Sequence, residues 1–471
     1  MLRVILLLGL MMAGAFGQAY VPVRERPPEL GREFRGAWVA TVYNIDWPSR
    51  KGLAAETQKA EMRRILDKLV ELKMNAMVFQ VRPECDALYR SAVEPWSGWL
   101  TGTQGKSPGY DPLGYAIEQA HARGIEVHAW FNPFRARCNN ESPVSRKHVT
   151  RTQPGMTRRY GTMTWCDPGD PDARAHALRV ILDVVQRYDV DGVHLDDYFY
   201  PYPKGGLSFV DGRTPAQRRA SIDGFVKGLY EGVKRRKPWV RVGISPFGIW
   251  RPGVPAGIEA NLDSFEQLAG DSRKWLAKGW VDYLAPQLYW RIEPRKQSFP
   301  VLLEWWRKQG SRPVWPGIAT SRIESSEDPG RPASEIIHQI DLTRKLGRVS
   351  HGHVHWSAKA LLENRGGISR SLAKVYTQPV AVPPMPWVSR RVPASPGVGA
   401  MAKGGVTQVR WVPDDRTAKV VVRARRGRVW RTDRICPVSA GSVEIPRADA
   451  IAVVALDRFG TASEPKVLGL R

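Results

Sequence analysis

Between residues 34 and 357 the chain repeats one pattern eight times: a short apolar segment, a loop, then a stretch with apolar residues at helical spacing. The apolar segments cover 34–42, 76–82, 126–133, 192–198, 241–246, 283–289, 314–320 and 352–357. Between them, 57–72, 113–123, 172–188, 215–237, 264–278 and 332–346 read as helices. In 172–188, Leu178, Ile181, Leu182 and Val185 recur at the period of one helix face. Strict alternation of strands with helices calls for a parallel sheet, because parallel neighbours need a crossover between them. Eight such units fit an α/β fold of the (β/α)8 TIM-barrel type with enlarged loops. An open doubly wound sheet is the alternative, although no GxGxxG follows the first strand.

The flanks divide the rest. Residues 1–19 have the layout of a signal peptide: Arg3, an apolar run from Val4 to about Phe16, then small residues. That run is short for a membrane span. We expect an export signal at 1–19, a linker at 20–31, the barrel at 32–376 and a Pro-rich linker at 377–390. An all-β module at 391–471 follows, with alternating strands near 406–412, 419–425, 443–445 and 451–457. Its ending, AVVALDRFGTASEP, resembles the last strands of fibronectin type III domains.

Charge narrows the partner. Lys and Arg number 71 against 46 Asp and Glu, a net charge of +25. Such a surplus suits an anionic partner or surface. Export argues against nucleic acid and for a polysaccharide of the cell envelope or periplasm, with no integral span after signal cleavage. Eighteen Trp would serve sugar stacking as readily as core packing. The cysteines Cys85, Cys138, Cys166 and Cys436 contain no CxxC pair, and Cys138 with Cys166 is the expected bridge.

Strand parity indicates which residues face the barrel interior. With Val193 and Leu195 outward, His194 and Asp196 face in. The same reading sends Gln80, Arg82, His128, Trp130, Asn132, Gln287, Tyr289, His353 and His355 inward, and Val354 and Trp356 outward. A purely structural barrel fills these places with Val, Ile and Leu. Polar residues here, reaching the C-terminal rim, mark a site. Asp196 ends its strand, where a carboxylate is costly unless paired or used. Asp197 joins it only if the chain turns there. Asp86 and the weaker Glu84, in the loop after the second strand, are further acids, and Arg82 would hold Asp196 ionised. Trp38, Tyr198, Tyr200, Tyr202, Trp250 and Trp290 are rim aromatics able to stack on sugars. The inward histidines invite a metal-dependent amidase or deacetylase, but they sit at unequal depths; neither metal nor cofactor is expected.

Five segments together resemble the glycosyl-hydrolase-like family 10 domain: REFRGAWVATVYNIDWPS, NAMVFQVRPECDALY, SPGYDPLGYAIEQAHARGIEVHAWFNPFRA, DGVHLDDYFYPYP and VGISPFGIWRPG. The resemblance runs from about Arg32 to Tyr376. It implies a (β/α)8 barrel, export and glycosidase chemistry on a peptidoglycan-type polymer. More distantly, Gly192 to Asp196 is similar to the G-x-x-x-D ending of the fourth strand in α-amylase-type barrels. That similarity implies Asp196 as nucleophile or chief carboxylate, while the fifth strand, ISPFGIW, lacks the acid those enzymes carry. The expected catalytic set is Asp196, Asp197 and Asp86. Trp38, Gln80, Arg82, Asn132, His194, Tyr198, Trp250, Gln287, Tyr289, Trp290 and His355 are the expected substrate-binding residues. A barrel that binds glycan without cutting it is the competing expectation.

Overall fold

The computed structural model describes residues 17–346 and 351–471. Most of the expected export signal, residues 1–16, lies outside them. Among the described residues no helix is long and apolar enough to cross a membrane. The chain forms two compact units.

The first strand among the described residues, β1 (Gln18–Pro22), belongs to the C-terminal unit. The larger unit carries β2 (Phe34–Val39), β3 (Ala76–Arg82) and β4 (Glu126–Phe131). A small antiparallel insert follows, made of β5 (Arg135–Arg137), β6 (Thr157–Tyr160) and β7 (Met163–Cys166). Then come β8 (Gly192–Leu195), β9 (Arg241–Ile244), β10 (Tyr283–Leu284), β11 (Gly317–Ile318) and β12 (Gly352–His355). Eight strands pair in parallel in the order β10-β9-β8-β4-β3-β2-β12-β11. Parallel bridges Leu284↔Val314 and Gln287↔Gly317 join the two ends, so the sheet closes on itself. The unit is a (β/α)8 barrel.

Local chemistry sets the helices between them. In Pro171–Arg187, Pro171 opens the first turn and Asp170 accepts the Asp172 amide at 2.8 Å. In Pro215–Arg236, Thr214 and Gln217 form a reciprocal capping box.

The interior departs from aliphatic layers. Phe34 stacks on Trp315 with ring centres 4.1 Å apart, and Tyr283 stacks on the same indole at 4.7 Å. The Tyr283 hydroxyl lies 2.8 Å from His128 Nδ1 and 3.0 Å from His194 Nδ1. These rings fit because the neighbouring strands present glycine. A Cβ on Gly243 would lie 1.9 Å from Tyr283 Cζ, and one on Gly192 would lie 2.6 Å from His128 Nδ1.

The C-terminal unit adds β13 (Gly397–Lys403), β14 (Val406–Val412), β15 (Thr417–Arg426), β16 (Val429–Pro437), β17 (Ser442–Pro446), β18 (Ala450–Asp457) and β19 (Lys466–Leu470). The segment expected to be a linker at 20–31 begins inside this sheet. Gln18 and Ala19 pair with β13, and Tyr20, Val21 and Pro22 pair with β19. Thus β1 joins a β13-β14-β17 face to a β16-β15-β18-β19 face. Tyr20 is buried among Trp411, Val420, Val422, Ile451 and Val453, and its hydroxyl donates to the Ala448 carbonyl. The Pro-rich stretch at 377–390 is no free tether either. Val380, Ala381, Val382 and Met385 are buried, and Ala381 bridges to Arg32. Such runs read as linkers because their partners are distant in sequence: Val421, Val454 and Leu456 pack with Ala381, and β13 and β19 pair with β1.

Candidate active site

The site grows from the ends of β3, β4 and β8. Strand β8 stops at Leu195 and the chain turns, which lets Asp196 and Asp197 share one buried place rather than opposite faces. Three donors hold Asp196. Asn132 Nδ2 donates to Oδ2 at 2.5 Å, Trp130 Nε1 to the same oxygen at 3.2 Å, and the Tyr198 amide to Oδ1 at 3.2 Å. Asn132 is itself aimed. Gln80 Oε1 accepts the Thr41 and Val42 amides at 2.8 and 2.9 Å. That leaves Gln80 Nε2 to donate to Asn132 Oδ1 at 2.6 Å. A chain of amides thus turns an Asn Nδ2 toward Asp196.

The two carboxyls sit in unlike surroundings. Burial raises the Asp196 pKa, opposed by Arg135 and the donors just named. Asp197 is pushed up to about 7, first by burial and then by the Asp196 charge; the Tyr202 hydroxyl, which donates to Oδ2, and Gln287 oppose the rise. Close carboxyls share protons unequally. The donors and Arg135 oppose the rise at Asp196, whereas Asp197 is held up to about 7. That division suits a nucleophile or charge stabiliser beside a general acid.

Aromatic residues line the rim around them. Trp356 lies parallel to Tyr289 at 6.5 Å and edge-on to Trp38 and Trp130 at 6.0 and 6.2 Å. Parity had sent Trp356 outward; past the last residue of β12 the pleat no longer applies, and the indole enters the mouth. Tyr198 stacks on Trp165 and lies 5.0 Å from Tyr202. Arg135, 5.3 Å from the Tyr198 ring centre, supplies the cation that the sequence had assigned to Arg82.

Several expected residues do other work. A bulge between Gln80 and Arg82 reverses parity. Arg82 is buried and spends its guanidinium on Glu94 (2.8 and 2.5 Å), the Asn132 and Pro133 carbonyls and Cys85. It braces loops and does not pair with Asp196. Asp86 is buried away from the pair; its neighbours are Glu84, Ser97, Gln104 and Glu94. Trp38 and His194 lie below the mouth, indole nitrogen to imidazole at 3.2 Å, with Ser245 Oγ 2.9 Å from the same ring nitrogen. His355 is buried against Thr320 Oγ1 at 2.7 Å. Gln80 orients Asn132 and is buried, so it positions rather than binds. Trp250 packs on Phe265 and Trp305, Trp290 on Phe247, and Tyr200 is buried beside Asp211. Asn132, Tyr198, Gln287 and Tyr289 do gather around the carboxyls. Cys138 and Cys166 are both free thiols; Cys166 Sγ instead lies 3.6 Å from Cys85 Sγ.

A parallel barrel with two neighbouring carboxyls just beyond the end of β8 is an arrangement that suits a glycosidase. Residues 33–329 match the glycosyl hydrolase-like 10 family, and the chain belongs to it. It is a glycoside hydrolase. Among relatives, it is 39% identical over 414 residues to "Glycosyl hydrolase YngK" of Bacillus subtilis (strain 168), covering 82% of this chain and 81% of that one. It is 32% identical over 374 residues to "Glycosyl hydrolase DigH" of Escherichia coli (strain K12), covering 70% and 85%. Of solved structures, the PgaB (BpsB) glycoside hydrolase domain from Bordetella bronchiseptica is similar at TM-score 0.47 and 15% identity, covering 74% of this chain and 99% of that one.

Proposed function

We propose that this glycoside hydrolase is exported and cuts a peptidoglycan-type cell-wall glycan, with Asp196 and Asp197 as its two working carboxyls. The observation that carries the chemistry is the pairing of a donor-rich Asp196 with an Asp197 raised to about 7. In this reading Asp197 protonates the leaving glycosidic oxygen, while Asp196 attacks or stabilises the oxocarbenium-like centre. A water then completes hydrolysis, returning the proton to Asp197. Its position explains how the enzyme works without an acid after the fifth strand. Asn132, Gln287, Tyr289 and Trp356 contact the sugar beside the pair. The wall substrate is supported by the apolar, basic-led N-terminal run and by the net charge of +25, which favours encounter with an anionic polymer. The C-terminal module is read as fibronectin type III-like, a reading its three-strand and four-strand faces support.

Mass spectrometry of products from peptidoglycan glycan strands, with mannan and starch alongside, tests this function. New reducing ends from the wall glycan alone are expected. Binding to it without cleavage would overturn catalysis, and cleavage of mannan or starch instead would overturn the substrate.

A further inference from the structure

A cavity of about 570 Å³ opens among the loops after β2, β3 and β4, lined in part by Tyr43, Lys51, Trp99 and Arg137. Its walls are built rather than loose. Glu84 accepts Trp99 Nε1 at 2.7 Å and also the Cys138 amide. Asn44 Nδ2 donates to the carbonyls of Pro48 at 2.9 Å and Trp99 at 3.1 Å. On this frame Tyr43 is held outward with 59% of its surface exposed, edge-on to Trp99 at 5.1 Å. Its backbone lies at φ 55° and that of Asn44 at φ 52°. For a bulky residue that conformation is a true outlier, and such strain collects at functional sites. Trp99 touches only the edge of the ring, and most of the side chain stays exposed.

Arg135, next in the chain to the cavity-lining Ala136 and Arg137, lies 5.3 Å from the Tyr198 ring centre, and Tyr198 gives its amide to Asp196. Lys51 Nζ lies 4.0 Å from the centre of the Trp99 ring, and Arg137, which also lines the cavity, donates to the Asn140 and Ser142 carbonyls. An exposed phenol beside an indole, in a cavity that also holds a lysine and an arginine, suits a pyranose ring bearing polar substituents.

We propose that this cavity is a distal subsite: it takes a sugar of the same glycan chain, away from the bond being cut, against the face of Tyr43. The inference rests on the glycosidase reading and adds that the enzyme acts within extended chains rather than on short ends. Binding energy from a remote sugar lowers KM for any chain long enough to reach it.

The test compares Tyr43→Ala, Tyr43→Phe and wild type on size-fractionated peptidoglycan strands, from disaccharides to long chains. The alanine variant is expected to lose about ten-fold in kcat/KM on long chains, mainly through KM, and so to narrow the long-to-short ratio; that factor is ~1.4 kcal/mol. Phenylalanine keeps the ring and restores the ratio. An equal loss at every length, or no loss, overturns the subsite. Should wild type cut no strand, the glycosidase reading fails separately, and calorimetric binding of the long strands then reads the cavity. Weaker binding by Tyr43→Ala, restored by phenylalanine, supports the subsite; equal binding overturns it.

Discussion

Replacing Asp197 by asparagine separates what the acid costs from what it does. In the folded protein its carboxyl is raised from 3.8 to about 7, by burial and then by Asp196. An acid whose pKa rises on folding binds its proton more tightly in the native state. Stability is therefore whole below the unfolded pKa and falls as pH climbs through the folded one. From about pH 5 to pH 8 the wild type crosses roughly two units of that window, and at about 1.4 kcal/mol per unit loses ~3 kcal/mol. Asparagine resembles the protonated carboxyl and does not titrate. Its amide nitrogen inherits the position of Oδ1, which has no partner among the described residues, at a cost of ~1–3 kcal/mol. That cost is the same at both pH values and cancels in the comparison.

Urea denaturation of both proteins at the two pH values reads the difference. The variant's stability relative to wild type should improve by ~3 kcal/mol from about pH 5 to pH 8. The same substitution should lower kcat about 10²–10⁴-fold, the range for a lost general acid, and remove the alkaline limb near 7 from the rate profile. A stability gap identical at both pH values would show that Asp197 does not titrate near neutrality, and the division of roles with Asp196 would fall with it.

Two further substitutions probe the frame. Gly243→Ala places a methyl on the Tyr283 ring and endangers two buried hydroxyl–imidazole contacts. Overpacking and the lost bonds together predict ~3–5 kcal/mol in denaturant unfolding, and a loss below ~1 kcal/mol would contradict the glycine-for-ring packing. Arg82→Met leaves the buried Glu94 carboxylate with His176 alone of its two cationic partners and should cost ~3–5 kcal/mol while leaving KM for glycan unchanged. A raised KM at undiminished stability would return Arg82 to the substrate.

The barrel was legible because period and order are local signals: eight apolar segments spaced by helices admit few closed arrangements. Asp196 was legible for the same reason, since a charge ending an apolar strand needs an explanation. Parity then failed where the pleat did. The bulge at Val81 carried Arg82 off to Glu94, and the end of β12 turned Trp356 into the mouth. Trp38 read as a rim aromatic and His194 as a substrate-binding residue, because the contacts that occupy them below the mouth involve Ser245 and Tyr283 from other strands. Arg135 stood in the FNPFRAR segment with nothing local to tie it to Asp196. Tyr202 was visible as an aromatic, but its hydrogen bond to Asp197 requires the turn after Leu195. β1 was hidden for a different reason, since its partners β13 and β19 lie far along the chain, with Gln18 opposite Ala402 and Tyr20 opposite Leu470.

The most direct test of the central claim is product analysis by mass spectrometry for wild type and Asp196→Asn on the same peptidoglycan glycan strands. Melting temperatures are taken on the same samples. We expect new reducing ends from wild type, none from the variant, and nearly equal melting temperatures. Full cleavage by Asp196→Asn would contradict the account, because no other carboxyl among the described residues shares the site with Asp197.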